Sequence, residues 1–242
     1  MAFNLQTIKD IRNHISEELK EIYPEEEIQS LSEIVMLHVM GGSKAALLAN
    51  PNRRVTKAES ERILSICCEL RTGKPLQYIT GEVIFYNCII RVGPGVLIPR
   101  QETEELVDLV IRENHGFSGE ITDVCTGSGC IATALALNLP EARVTGIDNS
   151  EQALKAAAEN AIINGVRVNY ILSDILKSGL SYAEKPDIIV SNPPYVRESE
   201  KALMHRNVLE FEPHEALFVP DDDPLVFYRV ILESASRIQY RG

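Results

Sequence analysis

Two short stretches of this chain combine residue types that could hold a ligand and manage a reacting nitrogen. The first is Asn192-Pro193-Pro194-Tyr195, directly after the apolar run from Pro186 to Ser191. Proline fixes φ and carries no N–H, so carbonyls beside it are left as outward acceptors. An Asn side-chain oxygen and a prolyl carbonyl can together accept both hydrogens of one NH₂ group. In an amide or an aniline-like amine the nitrogen lone pair is delocalised. Accepting both hydrogens orients that nitrogen and favours the electron distribution needed for in-line attack on an electrophilic carbon. Tyr195 can pack against the planar group. The blander alternative is a proline-stiffened exit from a strand.

The second stretch is Asp123-Val124-Cys125-Thr126-Gly127-Ser128-Gly129, placed between a strand pattern and a helix pattern. Glycines there let backbone approach a ligand closely, and a helix start offers unpaired N–H groups. Asp148 lies 19 residues past Gly129, at the end of the next strand pattern. An acid at that place can take both hydroxyls of a ribose, or else cap the helix beginning near Ser150. No Lys-Ser/Thr pair follows the turn, and an acid precedes it, so the loop does not read as a phosphate binder. Asp123 suits a cationic ligand. S-adenosylmethionine, with an ammonium and a sulfonium, fits that charge better than NAD or ATP.

The elements that must position these residues follow from periodicity. From Glu120 the pattern alternates: strand Ile121–Val124, helix Ile131–Asn138, strand Arg143–Ile147, helix Glu151–Ile163, strand Val168–Leu172, strand Pro186–Ser191 and helix Pro224–Arg237. Such alternation predicts a doubly wound α/β domain with a parallel sheet covered on both faces. Residues 4–73 instead read as helices. Leu5, Ile8, Ile11, Ile15 and Leu19 mark one apolar face, and a second helix covers Glu27 to Met40 before Gly41-Gly42. Thr56 to Glu59 is a capping box opening a helix to Leu70, closed by Gly73 and Pro75. Residues 82–92 have the pattern of a β-hairpin, Gly93-Pro94-Gly95 breaks regular structure, and Glu102–Glu113 returns to helix. The predicted organisation is a helical domain over 1–79, a hairpin linker over 80–97 and a catalytic domain over 98–242.

The chain has 35 acidic against 24 basic residues, a formal charge of -11, which argues against a large nonspecific nucleic-acid surface. No apolar run approaches the roughly 18–20 residues needed to span a bilayer, and Met1 to Lys20 has no signal-peptide pattern. Five scattered cysteines, Cys67, Cys68, Cys88, Cys125 and Cys130, form no C-x-x-C pair. They read as reduced thiols of a cytoplasmic protein, with no metal site. His205 and His214 read as surface or packing residues.

Beyond these motifs, the chain resembles the peptide chain release factor glutamine methyltransferases, the HemK-type family. The stretches that carry the resemblance are Arg71 to Gly81 (RTGKPLQYITG), Pro94 to Arg100 (PGVLIPR) with Glu102-Thr103-Glu104, the glycine loop, Asp148, Asn192 to Tyr195, and Phe211 to Leu217 (FEPHEAL). The loop and Asn-Pro-Pro-Tyr are shared with amino methyltransferases generally; the PGVLIPR and FEP stretches are more specific. The resemblance implies a Rossmann-like class I domain that uses S-adenosylmethionine to methylate the glutamine of a Gly-Gly-Gln motif in release factors, with the N-terminal bundle docking that partner. It implies that Asp123, Cys125, Thr126, Gly127, Ser128, Gly129, Asp148, Asp174, Ile175 and Asn192 line the cofactor pocket. Asn192, Pro193, Pro194 and Tyr195 would hold the glutamine, with Asn192, Pro193 and Tyr195 acting in transfer. Arg100 and Glu102 either touch ligand or brace a loop.

Two departures from the family pattern stand out. Cys125 replaces a usual glycine, which suits a negative φ and would be costly at a positive one. The family fold continues with a fifth strand and a terminal hairpin, so the chain, ending at Gly242, reads as C-terminally incomplete, with residues 188–190 at an exposed sheet edge. Two rival functions remain open at this point: an adenine-N6 DNA or RNA methyltransferase, whose exocyclic amine suits the same acceptor loop, and a noncatalytic binding fragment.

Overall fold

A computed structural model describes residues 6–180 and 185–239, so Leu5 of the predicted first apolar face lies outside the described residues. The chain divides into two compact units, residues 1–80 and 81–242.

The first unit is helical: α1 (Ile8–Leu19), α2 (Glu25–Met40), α3 (Lys44–Ala49), α4 (Lys57–Leu70) and α5 (Leu76–Thr80). Local sequence fixes the ends. Thr7 and Asp10 form a capping box on α1, and Thr56 and Glu59 form another on α4, where the Thr56 Oγ1 accepts from the Glu59 N–H at 3.2 Å. Gly41, at φ 66°, ends α2. Ile8, Ile11, Ile15 and Leu19 turn inward from α1 onto Ile28, Val35 and Met36 of α2 and Ile63, Ile66, Cys67 and Leu70 of α4. The sequence pattern missed α3 and α5, which are too short to show a full period.

The second unit opens with the hairpin β1 (Glu82–Phe85) and β2 (Cys88–Arg91). Its turn residues, Tyr86 and Asn87, have φ 43° and 64°, the mirror-image turn that matches strand twist. After α6 (Gln101–Glu113), four strands alternate with helices: β3 (Glu120–Val124), α7 (Cys130–Asn138), β4 (Arg143–Asp148), α8 (Glu151–Ile163), β5 (Asn169–Leu172), α9 (Ile175–Ser178) and β6 (Ile188–Ser191). All four pair in parallel in the order β5-β4-β3-β6. The doubly wound parallel architecture expected from the alternating pattern is the one observed. Two residues each of β7 (Val196–Arg197) and β8 (Phe218–Val219) pair separately, with α10 (Arg206–Phe211) between them and α11 (Val226–Gln239) following. β6 stands at one edge of the sheet among the described residues.

The hairpin belongs to the second unit rather than standing apart as a linker, for an identifiable reason. Asn160 and Asn164, one turn apart on α8, act as a substitute strand. Asn160 accepts from Arg91 N–H at 2.8 Å and donates to the Arg91 carbonyl at 3.0 Å. Asn164 does the same for Ile89, at 3.0 and 2.8 Å. The exposed edge of β2 is thereby satisfied without another strand. Asn160 also donates to the Ser128 carbonyl at 2.9 Å, which ties the hairpin to the glycine loop.

Candidate active site

The strand register brings the carboxyl ends level: Val124 pairs with Ile147 and Ser191, and Asp148 with Leu172. From β3 the sheet is built first one way, through β4 and β5, and then the other way, with β6, and a crevice opens where the winding reverses. A cleft of about 1000 Å³, its open mouth included, lies there. Its walls include Cys125, Thr126, Gly127, Ser128, Asp148, Asp174, Ile175, Asn192 and Pro194, all expected from sequence.

The glycine loop is held from below. Thr126 N–H donates to the Ile147 carbonyl at 2.9 Å, and Gly127 N–H to Asp148 Oδ2 at 2.8 Å. Gly127 and Gly129 differ in purpose. Gly129 has φ 72°, and a β-carbon there would sit 2.7 Å from the Ala157 Cβ and 3.0 Å from the Tyr170 hydroxyl. It permits close packing of α7 on α8 and does not line the cleft. Gly127 has φ 54°, and a β-carbon there would meet nothing within 4 Å. Gly127 lines the cleft, so a ligand there can lie against bare backbone. Gly129→Ala should therefore destabilise the fold by about 2 kcal/mol or more. Gly127→Ala should cost only about 1 kcal/mol yet abolish binding of S-adenosylmethionine; thermal melts and calorimetry separate the two.

Asp123 does not reach the cleft, contrary to the expectation that it meets a cationic ligand directly. It is fully buried, accepts from the Thr126 hydroxyl at 2.5 Å and from Ala132 N–H at 3.2 Å, and so ties the loop to the first turn of α7. Burial pushes its pKa up to about 7, against the pull of those two hydrogen bonds. Asp123 shapes the loop from underneath. Gly129, Pro193 and Tyr195 likewise lie outside the residues lining the cleft. Tyr195 is 55% exposed, because the chain turns away at Val196 to pair with Phe218.

Asp148 is not the cap of α8; Ser150 is, accepting from Ala153 N–H at 3.2 Å. Asp148 instead receives Gly127 N–H on one oxygen and Ser150 N–H, at 3.0 Å, on the other. Burial raises its pKa despite these bonds. A carboxylate has about four acceptor sites, so each oxygen keeps capacity for a hydroxyl. Asp174 caps α9 through Leu176 N–H and pairs with Lys177 at 2.8 Å, which lowers its pKa. Cys125 has φ 59°, the left-handed region, so this side chain carries a strain of about 1–2 kcal/mol. Its thiol is pushed far up in pKa by burial, then by Asp148, Asp123 and Asp174, and stays protonated.

The pattern of strands and turns alone did not point to the other wall. Gly95, Val96, Leu97, Pro99, Arg100 and Thr103 line it on one side, and Pro213, Glu215 and Ala216 on another. Glu212 joins the two. Its buried carboxylate accepts from an Arg100 guanidinium nitrogen at 2.8 Å and from Ile98 N–H at 3.2 Å. Arg100 therefore braces a loop, and Glu102 is exposed on the first turn of α6. The family-specific PGVLIPR and FEP stretches were the only sequence signal of this strut. Neither His205 nor His214 lines the cleft; the His214 ring lies 2.8 Å from the Leu209 carbonyl oxygen and edge-on to Phe218. No group of three or more potential metal ligands occurs among the described residues, and none of their helices is long and apolar enough to cross a membrane.

The parallel sheet, the backbone-lined loop under open space, the acid ending β4 and the Asn-Pro-Pro turn ending β6 define a class I S-adenosylmethionine-dependent methyltransferase. The family model of the methyltransferase small domain matches residues 102–212, and that of the PrmC N-terminal domain matches residues 10–81. The release factor glutamine methyltransferase of Flavobacterium psychrophilum is 43% identical over 95% of this chain and 82% of its own length. That of Bacteroides thetaiotaomicron is 42% identical over 92% of this chain and 80% of its own, and that of Thermodesulfovibrio yellowstonii 37% over 96% and 80%. The chain belongs to the release factor glutamine methyltransferase family.

Proposed function

We propose that the protein methylates the side-chain amide nitrogen of the glutamine in the Gly-Gly-Gln motif of peptide chain release factors. The observation that carries the reading is the position of Asn192 and Pro194 on the wall of the cleft that the glycine loop also lines, at the carboxyl end of β6 next to β3. The residues present suit the cofactor. Gly127 leaves room against its backbone, Asp148 has spare acceptors for ribose hydroxyls, and Cys125 to Ser128 with Asp174 and Ile175 complete the walls. Bound there, S-adenosylmethionine supplies a methyl group on a sulfonium.

The protein's own share of the reaction is positioning. The Asn192 side-chain oxygen and the Pro193 carbonyl accept the two hydrogens of the glutamine NH₂ group. Holding the nitrogen in line can lower the barrier by roughly 7–11 kcal/mol, so no strong base is required. The amide proton leaves to solvent. The helical unit, residues 1–79, docks the release factor. The hairpin over 80–97 and the domain over 98–242 carry the site, and the protein works in the cytoplasm without a nucleic-acid substrate.

The test is incorporation of labelled methyl groups from S-adenosylmethionine into a release factor, its Gln-to-Ala variant in Gly-Gly-Gln, and adenine-containing DNA and RNA. Label in the first alone is expected. Label in nucleic acid, or equal label in the Gln-to-Ala variant, would overturn the proposal.

A further inference from the structure

The acceptor role of Asn192 depends on which end of its amide faces the cleft. The two ends are nearly the same size, but a nitrogen end turned toward an incoming NH₂ group would set donor against donor. Something must take the Asn192 nitrogen. Across the cleft wall, on the first turn of α6, stands Thr103, only 7% exposed and itself lining the cleft. The Asn192 Nδ2 donates to the Thr103 Oγ1 at 3.3 Å, across 89 residues of sequence. Thr103 is fixed in turn, because its own N–H donates to the Arg100 carbonyl at 3.1 Å. Arg100 is anchored to the buried Glu212.

We propose that Thr103 is a positioning residue: its hydroxyl takes the Asn192 amide nitrogen and so presents the Asn192 oxygen to the substrate NH₂ group. This rests on the acceptor reading of Asn192 above and deepens it. Through Arg100 and Glu212, the Pro94–Arg100 loop helps set the orientation of the Asn192 amide.

Thr103→Val keeps the branched shape and removes the hydroxyl, whereas Thr103→Ser keeps the hydroxyl. Both are compared with wild type, alone and in an Asn192→Ala background. Three measurements apply: methyl transfer to a Gly-Gly-Gln release factor, calorimetric affinity for S-adenosylmethionine, and the Asn192 side-chain amide signals in nitrogen-15 spectra. In Thr103→Val, kcat should fall about tenfold with KM and cofactor affinity within about twofold, and the Asn192 signals should shift. Thr103→Ser should keep kcat within about threefold of wild type and leave the signals in place. In the Asn192→Ala background, Thr103→Val should add no further loss, because the two act as one unit.

A folded Thr103→Val protein with wild-type kcat and unmoved Asn192 signals would overturn the proposal. So would an undiminished further loss in the Asn192→Ala background, since Thr103 would then act elsewhere. Near-normal turnover of Asn192→Ala alone would remove the acceptor reading itself, a failure distinct from either.

Discussion

Replacing Asn192 by alanine should leave a folded protein that still binds S-adenosylmethionine but transfers methyl groups about 10²–10³-fold more slowly. The size follows from what is removed: one preorganised acceptor at the reacting nitrogen, in a site where water cannot take its place without reorganising. Cofactor affinity should change little. The loop proposed to contact the cofactor is held by Asp148, Asp123 and the Ile147 carbonyl. Steady-state kinetics with a release factor, paired with calorimetry, read the two effects separately. Loss of kcat with KM unchanged marks an interaction that orders the reacting state. Turnover within a few-fold of wild type would remove the role assigned to Asn192.

A large stability effect should come from Glu212. Its side chain is 2% exposed and carries both the Arg100 pair and the Ile98 N–H. Glu212→Ala leaves the Ile98 amide without its acceptor and releases a guanidinium that is 36% exposed and can be hydrated, so the cost is about 1–3 kcal/mol. In a unit of this size each kcal/mol lowers Tm by roughly 2–4 °C, so the second unit should melt roughly 6 °C lower. Glu212→Gln, which retains an acceptor for Ile98 N–H, should lose less. Turnover should fall with Glu212→Ala, because the loops before α6 and after α10 form adjoining walls of the cleft. A melt within about 2 °C of wild type would show that the strut contributes little.

How much of this could be read from sequence depends on the range of the interaction involved. The hairpin, the four strands and the capping box of α4 are specified by residues within a few positions of one another. The glycine loop, Asp148 and Asn192 were legible because strand ends in a doubly wound sheet converge. The failures have the opposite character. Asp123 faces inward, where the Thr126 hydroxyl and Ala132 N–H both donate to its Oδ2, and nothing in the spacing says which side it chooses. Tyr195 leaves the cleft because two residues after it join Phe218 and Val219, a pairing too short for any period to reveal. Arg100 meets Glu212 across 112 residues; only family likeness marked either stretch. The amides of Asn160 and Asn164 substitute for a strand on the face of a helix, where the sequence pattern reads only helix. Cys125 accepts a left-handed backbone that local preference would give to glycine, so the register of the loop outweighs the preference of the residue.

The central claim is that one substrate NH₂ group is held between two acceptors of the 192–195 turn beside the cofactor. It is tested most directly by a crystal structure with S-adenosylhomocysteine and a peptide containing Gly-Gly-Gln. The glutamine amide nitrogen should lie within hydrogen-bonding distance of both the Asn192 side-chain oxygen and the Pro193 carbonyl, facing the cofactor sulfur, with ribose hydroxyls on Asp148. An amide bound away from that turn, with the cofactor in the cleft, would contradict the account.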